Sequence, residues 1–393
     1  MKLPNILQFL NRKQPNVTLK VNPAKNRTSV KLKYYRVPQV ELQMDRLRSA
    51  IIAAKSPANP RRLMLYAIYE EILKDAHLLS QIRTATYSVQ QSKFSITDEQ
   101  GNEKPELHNL FEKTWFVDFL KYAIDSEWWG HSLIEFGDLA DGEFDVVKLI
   151  SRYHVRPEFG DVTIDVNDTS GIVYRDNPEK LFVVESGDPY SLGLLEIAAR
   201  EIIWKIQARN DWATASERFG MPLLAIRTDS SNDAELNEMQ NMADNFGANG
   251  WVILAKDDEI EIKNERGGAD MFKIYLEKAK FCDEQISKLI NGQTMTSDNG
   301  SSYAQANVHE RILDAYTLAR LMRIQNMIND NLMPFLAYNG YPVENCKLVF
   351  FDTKRWYDDL PESEPVIASD AKQTDESVSL RRMMYGLKKK YKL

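Results

Sequence analysis

Apolar positions in the first part of the chain follow a helical period. Leu42, Leu47, Ile51 and Ile52 recur at near-helical spacing until Pro57 and Pro60 close the run. A second helix carries Leu63, Tyr66, Ile68, Tyr69, Ile72 and Leu73, and a third covers His77 to Ser88. Val89 to Ile96 alternates like a strand and ends in the turn Asp98-Glu-Gln-Gly101. Leu107 to Trp129 reads as one helix, with Leu110, Phe111, Trp115, Phe116, Phe119, Leu120, Ile124 and Trp128 on its apolar side and Gly130 as its stop. The period then changes to two. Ser132–Gly137, Phe144–Ile150, Val162–Val166, Gly171–Tyr174 and Leu181–Glu185 are short strands separated by turn residues.

Helical spacing returns from Tyr190 to Phe219, where Gly220 and Pro222 end it. Next come a strand at Leu223–Arg227, a helix at Ala234–Phe246, and a strand at Trp251–Leu254 with an expected partner at Glu259–Lys263. A helix from Met271 to Ile290 leads to the polar loop Asn291–Ser302. A long helix, Tyr303–Leu332, carries Val308, Ile312, Ala315, Ala319, Met322, Met327 and Ile328 on its expected apolar side, and Cys346–Phe351 is a last strand. The segment before Gln43 is polar, holds Pro4, Pro15, Pro23 and Pro38, and reads as an arm with one strand at Ser29–Tyr35. The fold class is α+β, with two long helices bracketing a small β-rich block and no internal repeat.

Charge adds a feature that the pattern lacks. The 393 residues carry a net −7, but residues 1–40 hold nine Lys/Arg and no acid, and residues 379–393 hold six and no acid. The intervening 41–378 hold 35 basic and 57 acidic residues, a net of −22. The chain is therefore an acidic body with two basic tails. Such tails are either solvated or laid on an acidic neighbour or nucleic acid. No stretch reaches the ~18 uninterrupted apolar residues of a membrane helix, and no membrane association is expected. The N-terminal apolar patch is too short for a secretory h-region. Two cysteines, Cys282 and Cys346, do not make a disulfide framework and suggest a reducing compartment.

Several chemistries are excluded by motif. There is no G-x-x-x-x-G-K-[ST], no G-x-G-x-x-G after a strand and no G-x-S-x-G. The five histidines do not fall at metal-ligand spacing, so neither a metal nor a cofactor is expected. Two acidic clusters, Asp138, Asp141, Glu143 and Asp145, then Asp161, Asp165 and Asp168, sit where turns are expected, and Asp is favoured in turns for its own reasons. The competing reading is a metal-dependent carboxylate nuclease or hydrolase using Asp138, Asp141, Glu143 or Asp161. Composition alone makes the 291–302 loop an ordinary connector, although its hydroxyls and amides could touch a phosphate backbone without gripping it.

Three stretches together point further. They are Tyr122-Ala-Ile-Asp-Ser-Glu-Trp-Trp-Gly-His-Ser-Leu-Ile-Glu135; Ile203-Trp-Lys-Ile-Gln-Ala-Arg-Asn-Asp-Trp212 with Glu217-Arg-Phe-Gly-Met-Pro222; and Gln285-Ile-Ser-Lys-Leu-Ile-Asn-Gly-Gln-Thr-Met-Thr-Ser-Asp298 with Val308-His-Glu-Arg311 and Asp314. In this order, over roughly Tyr69 to Asn339, the series resembles the portal proteins of Mu-like tailed phages. The resemblance implies a non-enzymatic homo-oligomer, a ring of about twelve subunits at one capsid vertex. Double-stranded DNA would pass through it, with the terminase large subunit, a head–tail adaptor and the major capsid protein as partners. The protein would sit in the virion, and in host cytoplasm during assembly. Another head–tail assembly protein is the runner-up.

Mapped onto the chain, the resemblance implies an arm at 1–44, a first wing part at 45–106, stem helix one at 107–132, and a clip at 133–190. Stem helix two follows at 191–220, a second wing part at 221–290, a tunnel loop at 291–302, a long helix at 303–340 and a terminal segment at 341–393. Thr294, Met295, Thr296, Ser297, Asp298, Asn299, Ser301 and Ser302 would lie nearest the DNA. Lys205, Arg209 and Trp212 would face the channel or a neighbouring subunit. Asp138, Asp141, Glu143, Asp161 and Asp165 would present the clip to motor or adaptor. A ring of a dozen chains would carry on the order of −80 formal charges, a field that centres a duplex rather than binding it. The basic tails are then expected to clamp acidic neighbours.

Overall fold

The computed structural model describes residues 31–140, 143–176, 178–219, 224–228, 232–245, 251–254, 268–293 and 303–353. The chain opens with helices α1 (Met44–Ala54), α2 (Leu63–Ile72) and α3 (Ala76–Gln90), then strand β1 (Phe94–Thr97), a short α4 (Pro105–His108) and α5 (Thr114–Trp129). Asp75 caps α3: its carboxylate accepts the N–H groups of His77 and Leu78, both at 3.0 Å. The alternation over Val89–Ile96 is therefore only partly a strand, because α3 runs through Gln90 with Val89 on its buried face. Likewise the expected helix from Leu107 is two helices, separated at residues 109–113.

Helix α5 is the centre of the core. Trp115, Phe116, Phe119, Leu120, Ala123, Ile124 and Trp128 are all buried. Each large side chain of this kind contributes about 1.5–3 kcal/mol by leaving water. The helix packs on α3 and on the sheet that follows it.

That sheet belongs to a run of short strands: β2 (His131–Phe136), β3 (Leu139–Ala140), β4 (Glu143–Phe144), β5 (Val147–Leu149), β6 (Val155–Arg156), β7 (Asp161–Val162) and β8 (Ile172–Val173). A short α6 (Pro178–Leu181) and β9 (Val183–Gly187) complete it. The order β5-β2-β9 forms one antiparallel sheet and β6-β7-β8 a second. Ile134 and Phe136 of β2 join the main core with α5, while Leu133, Ile150 and Val183 pack with Val155, Val162 and Tyr174 in a satellite cluster. Two successive helix–strand junctions meet at Gly130 and Gly193, with φ of +89° and +75°. A Cβ on Gly193 would lie 2.1 Å from the Trp128 carbonyl oxygen, so only glycine fits.

The second half begins with α7 (Leu195–Phe219) and continues through β10 (Leu224–Arg227), α8 (Asp233–Asn245), β11 (Trp251–Leu254) and α9 (Gly268–Asn291). Strands β10 and β11 pair in parallel, with Leu224 opposite Trp251. Trp251–Leu254 thus finds its partner upstream, and the expected partner at 259–263 lies outside the described residues. Helix α7 packs along α9 and also contacts α1 and α2. The two long helices that lie together are therefore α7 and α9, not α5 and α7, and the module between them is β10–α8–β11.

Helix α10 (Tyr303–Met327), a π-helical turn (Ile328–Leu332) and α11 (Met333–Tyr338) form one interrupted rod. Its buried side is Arg320, Leu321, Ile324, Ile328 and Leu332. Ala315 and Ala319, expected on the apolar side, are exposed. The π turn is held by side chains. Asn329 donates to the Leu348 carbonyl at 3.0 Å and accepts the Leu348 N–H at 2.8 Å, while Asn331 donates to the Glu185 carbonyl at 3.0 Å. Strand β12 (Lys347–Phe350) then pairs antiparallel with β1, placing Phe350 opposite Phe94. Residues 31–43 hold no strand; the expected Ser29–Tyr35 strand begins outside the described residues, and from Lys31 on the chain is irregular.

Candidate functional site

The polar residues that hold the long helices together converge on Lys205. From α7 its ammonium reaches Asp75 Oδ2 at 2.8 Å and Asp283 Oδ1 of α9 at 2.6 Å. His77 Nε2 continues the cluster to Ser287 Oγ at 2.8 Å and the Asp283 carbonyl oxygen at 3.0 Å. Lys205 is 8% exposed, and its charge is paired within its own chain. Arg209, one turn on, is exposed, and Trp212 is half-buried. Of the three residues expected to face a channel or a neighbour, only Arg209 presents its side chain fully to the outside. Trp204, for which core packing is the default reading, is 44% exposed on the same helix.

Helix α9 ends at the root of the polar loop. Gly292 takes φ +72°, its N–H bonds the Lys288 carbonyl at 3.0 Å, and Asn291 and Gln293 on either side are buried. Arg320 of α10 braces this root. Its guanidinium donates to both oxygens of Glu127, at 3.0 and 3.2 Å, and to the Ile290 carbonyl at the end of α9. It also lies over the rings of Trp128 and Tyr316. Arg323 adds a bond to Glu127 at 2.9 Å. Sequence reasoning missed Arg320, because one arginine in a helix looks like any other until its burial is known. The loop residues themselves, Thr294, Met295, Thr296, Ser297, Asp298, Asn299, Ser301 and Ser302, lie outside the described residues.

Two members of the acidic clusters, Asp161 and Asp165, are engaged within their own chain. Asp161 is buried in an ion pair with Arg156, whose second nitrogen bonds Asp161 Oδ1 at 2.8 Å. Asp161, expected to present the clip to motor or adaptor, is 5% exposed. Asp165 accepts Asn167 N–H at 3.0 Å and the Lys33 ammonium at 3.2 Å, and the backbone bond, seconded by Lys33, holds its carboxyl below the usual range. Asp138 is exposed. Asp141 lies outside the described residues, and of Glu143 only the backbone of β4 is described. Among the described residues, no three His, Cys, Asp or Glu side chains gather in a way that could hold a metal ion.

One buried polar constellation was not legible in advance. Glu185 of β9 accepts His131 Nε2 at 2.8 Å, the Tyr174 hydroxyl at 2.8 Å, and Arg175 at 2.6 and 3.0 Å. Burial opposes its ionisation, but hydrogen bonds from Arg175, His131 and Tyr174 prevail and hold it at about 2. The ionised carboxylate can only accept, so His131 carries its proton on Nε2. Burial lowers the His131 pKa and raises that of Tyr174. Every member is engaged by another, which makes a structural tie between β2, β8 and β9 rather than a poised acid or base.

Among the described residues no helix is long and apolar enough to cross a membrane. Comparison with known proteins gives the class. Residues 66–375 match the family model described as the portal protein of Mu bacteriophage. That span is well over half the chain, and it contains α7, α9, the loop between α9 and α10, and the Arg320 brace. The chain belongs to the Mu bacteriophage portal protein family. A solved structure of an HK97-family phage portal protein from Corynebacterium diphtheriae is similar at 15% identity, covering 75% of this chain and 97% of that one with a TM-score of 0.41. No curated protein matches the chain. Portal families are structural rather than enzymatic.

Proposed function

We propose that the protein assembles as a ring at one capsid vertex, through which double-stranded DNA enters and leaves the phage head. The observation that carries this reading is the family match across residues 66–375. The stem, in this proposal, is the α7–α9 pair, because these long helices pack together and bracket a small module. The clip role then moves from residues 133–190 to β10–α8–β11, and the block at 133–190 joins the wing. Docking of the terminase large subunit, and later of a head–tail adaptor, is placed on the β10–α8–β11 end. The major capsid protein would contact the wing. The loop at 294–302 directly follows the stem helix α9 and keeps the tunnel-loop role nearest the DNA. No cofactor and no catalytic step is invoked.

The charge pattern supports a conduit. An acidic body of net −22 between the tails repels phosphate, and each avoided lysine–phosphate contact keeps affinity low. Electron microscopy of the purified full chain tests the reading. Rings with a central hole wide enough for a duplex are expected; monodisperse monomers, or particles without a hole, would overturn it.

A further inference from the structure

Between the two sheets of the 133–188 block lies a cavity of about 290 Å³, mostly apolar but with Glu135 and Lys148 in its wall. Leu32, Leu149, Ile150, Val162, Ile172 and Val183 line it. Five of these come from the sheets or the turns beside them. The sixth, Leu32, comes from the arm that precedes α1. The arm is fixed here by several contacts. Lys33 N–H donates to the Ile164 carbonyl at 3.0 Å, its ammonium pairs with Asp165 at 3.2 Å, and Tyr35 stacks near Tyr153 at 5.1 Å. One apolar side chain of the arm is thus already against a cavity that it does not fill.

The same arm carries a second apolar set close upstream. In Val17-Thr-Leu-Lys-Val21 the apolar residues fall at period two, between Pro15 and Pro23. Val17, Leu19 and Val21 would share one side, and Thr18 and Lys20 the other. About ten residues separate Val21 from Leu32, and ten residues reach up to about 33 Å when extended. The chain can therefore return to the cavity that Leu32 lines. Strand β5 is an edge of its sheet beside this opening, with Leu149 at the cavity wall. Unpaired edges of this kind are usually covered.

We infer that Val17–Val21 of the same chain docks into the cavity between the β5-β2-β9 and β6-β7-β8 sheets, as an intramolecular strap over the small β block. The strap lies beyond the portal reading and does not depend on ring formation. It also changes the expected role of the arm, which was to clamp a neighbour. The Lys148 ammonium, paired with Glu135 at 3.2 Å and exposed on the rim, gives a direct probe, because docking of Val17–Val21 would bring Lys20 within reach of a short cross-linker from it.

The test uses the full-length protein, as an equal mixture of unlabelled and nitrogen-15-labelled chains treated with a short amine-reactive cross-linker. A Lys20–Lys148 link whose two halves always carry the same isotope is expected. Links of mixed isotope would assign the cavity to a neighbour's arm and overturn the intramolecular strap; absence of the link would overturn docking. Hydrogen exchange supplies the second arm of the test. Leu19→Asp should speed exchange of the backbone amides at 148–150 and 172–173 about tenfold by releasing the strap, with the β1–β12 pair unchanged as a control of folding. Equal exchange at 148–150 in the variant and the parent would also overturn the proposal.

Discussion

Lys205 of α7 and Asp283 of α9 face each other across this helix pair, with 2.6 Å between the ammonium and the carboxylate. The contact makes Lys205, which the family resemblance suggested for a channel wall or a subunit contact, an internal bolt of its own chain. It also reaches beyond the pair. Asp75, the second partner at 2.8 Å, is the residue that caps α3. One side chain on α7 therefore links the start of α3 to the middle of α9, and this ties the α7–α9 unit to the remainder of the fold.

Removing that bolt should be costly. Lys205→Met keeps much of the aliphatic stem but strands two carboxylates, one of them buried. Breaking a buried pair by taking away one partner costs about 3–5 kcal/mol, and the partial exposure of Asp283 argues for about 3 kcal/mol. Urea denaturation measures it. Arg209→Ala, on the exposed side, should change stability by less than about 0.5 kcal/mol. Equal effects of the two substitutions would contradict the assignment of Lys205 to the interior.

The Gly130–Gly193 knot makes a sharper demand on backbone. A methyl group at Gly193 would meet the Trp128 carbonyl at 2.1 Å and the Gly130 nitrogen at 2.4 Å, both main-chain atoms that cannot rotate away. The φ of +75° adds its own strain. Gly193→Ala should therefore lower stability by about 3 kcal/mol. Gly101→Ala, with a similar φ of +84° but open space around it, should cost only about 1 kcal/mol. Thermal unfolding of the two variants separates strain from collision.

Helix positions were legible because their apolar faces repeat; partners were not. Leu63–Ile72, α7 and α9 all stand near where their spacing puts them. Nothing in α7 says that it packs on α9 rather than α5, since Ala208 and Ala215 are too small to declare a contact face, yet both are buried. The alternation at Val89–Ile96 misled for a related reason. A buried helix end and a strand both place apolar residues two apart over a short window. The site was legible only as a class: the motifs around Trp128, Trp212 and Gln293 signalled the family, whereas Arg320, Glu127 and Glu185 acquire meaning only from burial.

Acid should loosen the β2–β8–β9 tie. Glu185 ionises at about 2 in the folded chain, below its ordinary value near 4.5. A depressed carboxyl pKa stabilises the fold above the unfolded value, and that stability disappears as pH falls from about 4.5 towards 2. The neutral, buried His131 adds to the loss on the acid side, because the unfolded imidazole takes up a proton more readily. Glu185→Gln should flatten the dependence of unfolding free energy on pH in this window by about 2 kcal/mol. A parallel pH profile in variant and parent would show that the carboxylate is not coupled to folding.

The Arg320 brace predicts a local effect. Arg320→Lys keeps a charge but cannot reach both Glu127 oxygens and the Ile290 carbonyl from one planar group. Amides at 290–293 should exchange about tenfold faster in the variant, while those of α5 remain protected. Protection unchanged at the loop root would mean that Gly292 and the end of α9 hold themselves.

The polarity of the loop is the part of the portal reading most open to attack by substitution. As written, Thr294-Met-Thr-Ser-Asp-Asn-Gly-Ser-Ser302 offers one charge, and that charge is negative. Thr296→Lys with Asn299→Lys would place roughly two dozen ammonium groups around a lumen of about twelve subunits. Each phosphate contact formed releases counterions, so rings of the double variant should retain labelled duplex DNA at low salt and lose it steeply between about 50 and 200 mM. Parent rings should retain little at either concentration. Co-sedimentation across a salt series reads the difference. A variant whose retention and salt slope match the parent would place the loop away from the DNA, and the tunnel-loop role of residues 294–302 would have to be given up.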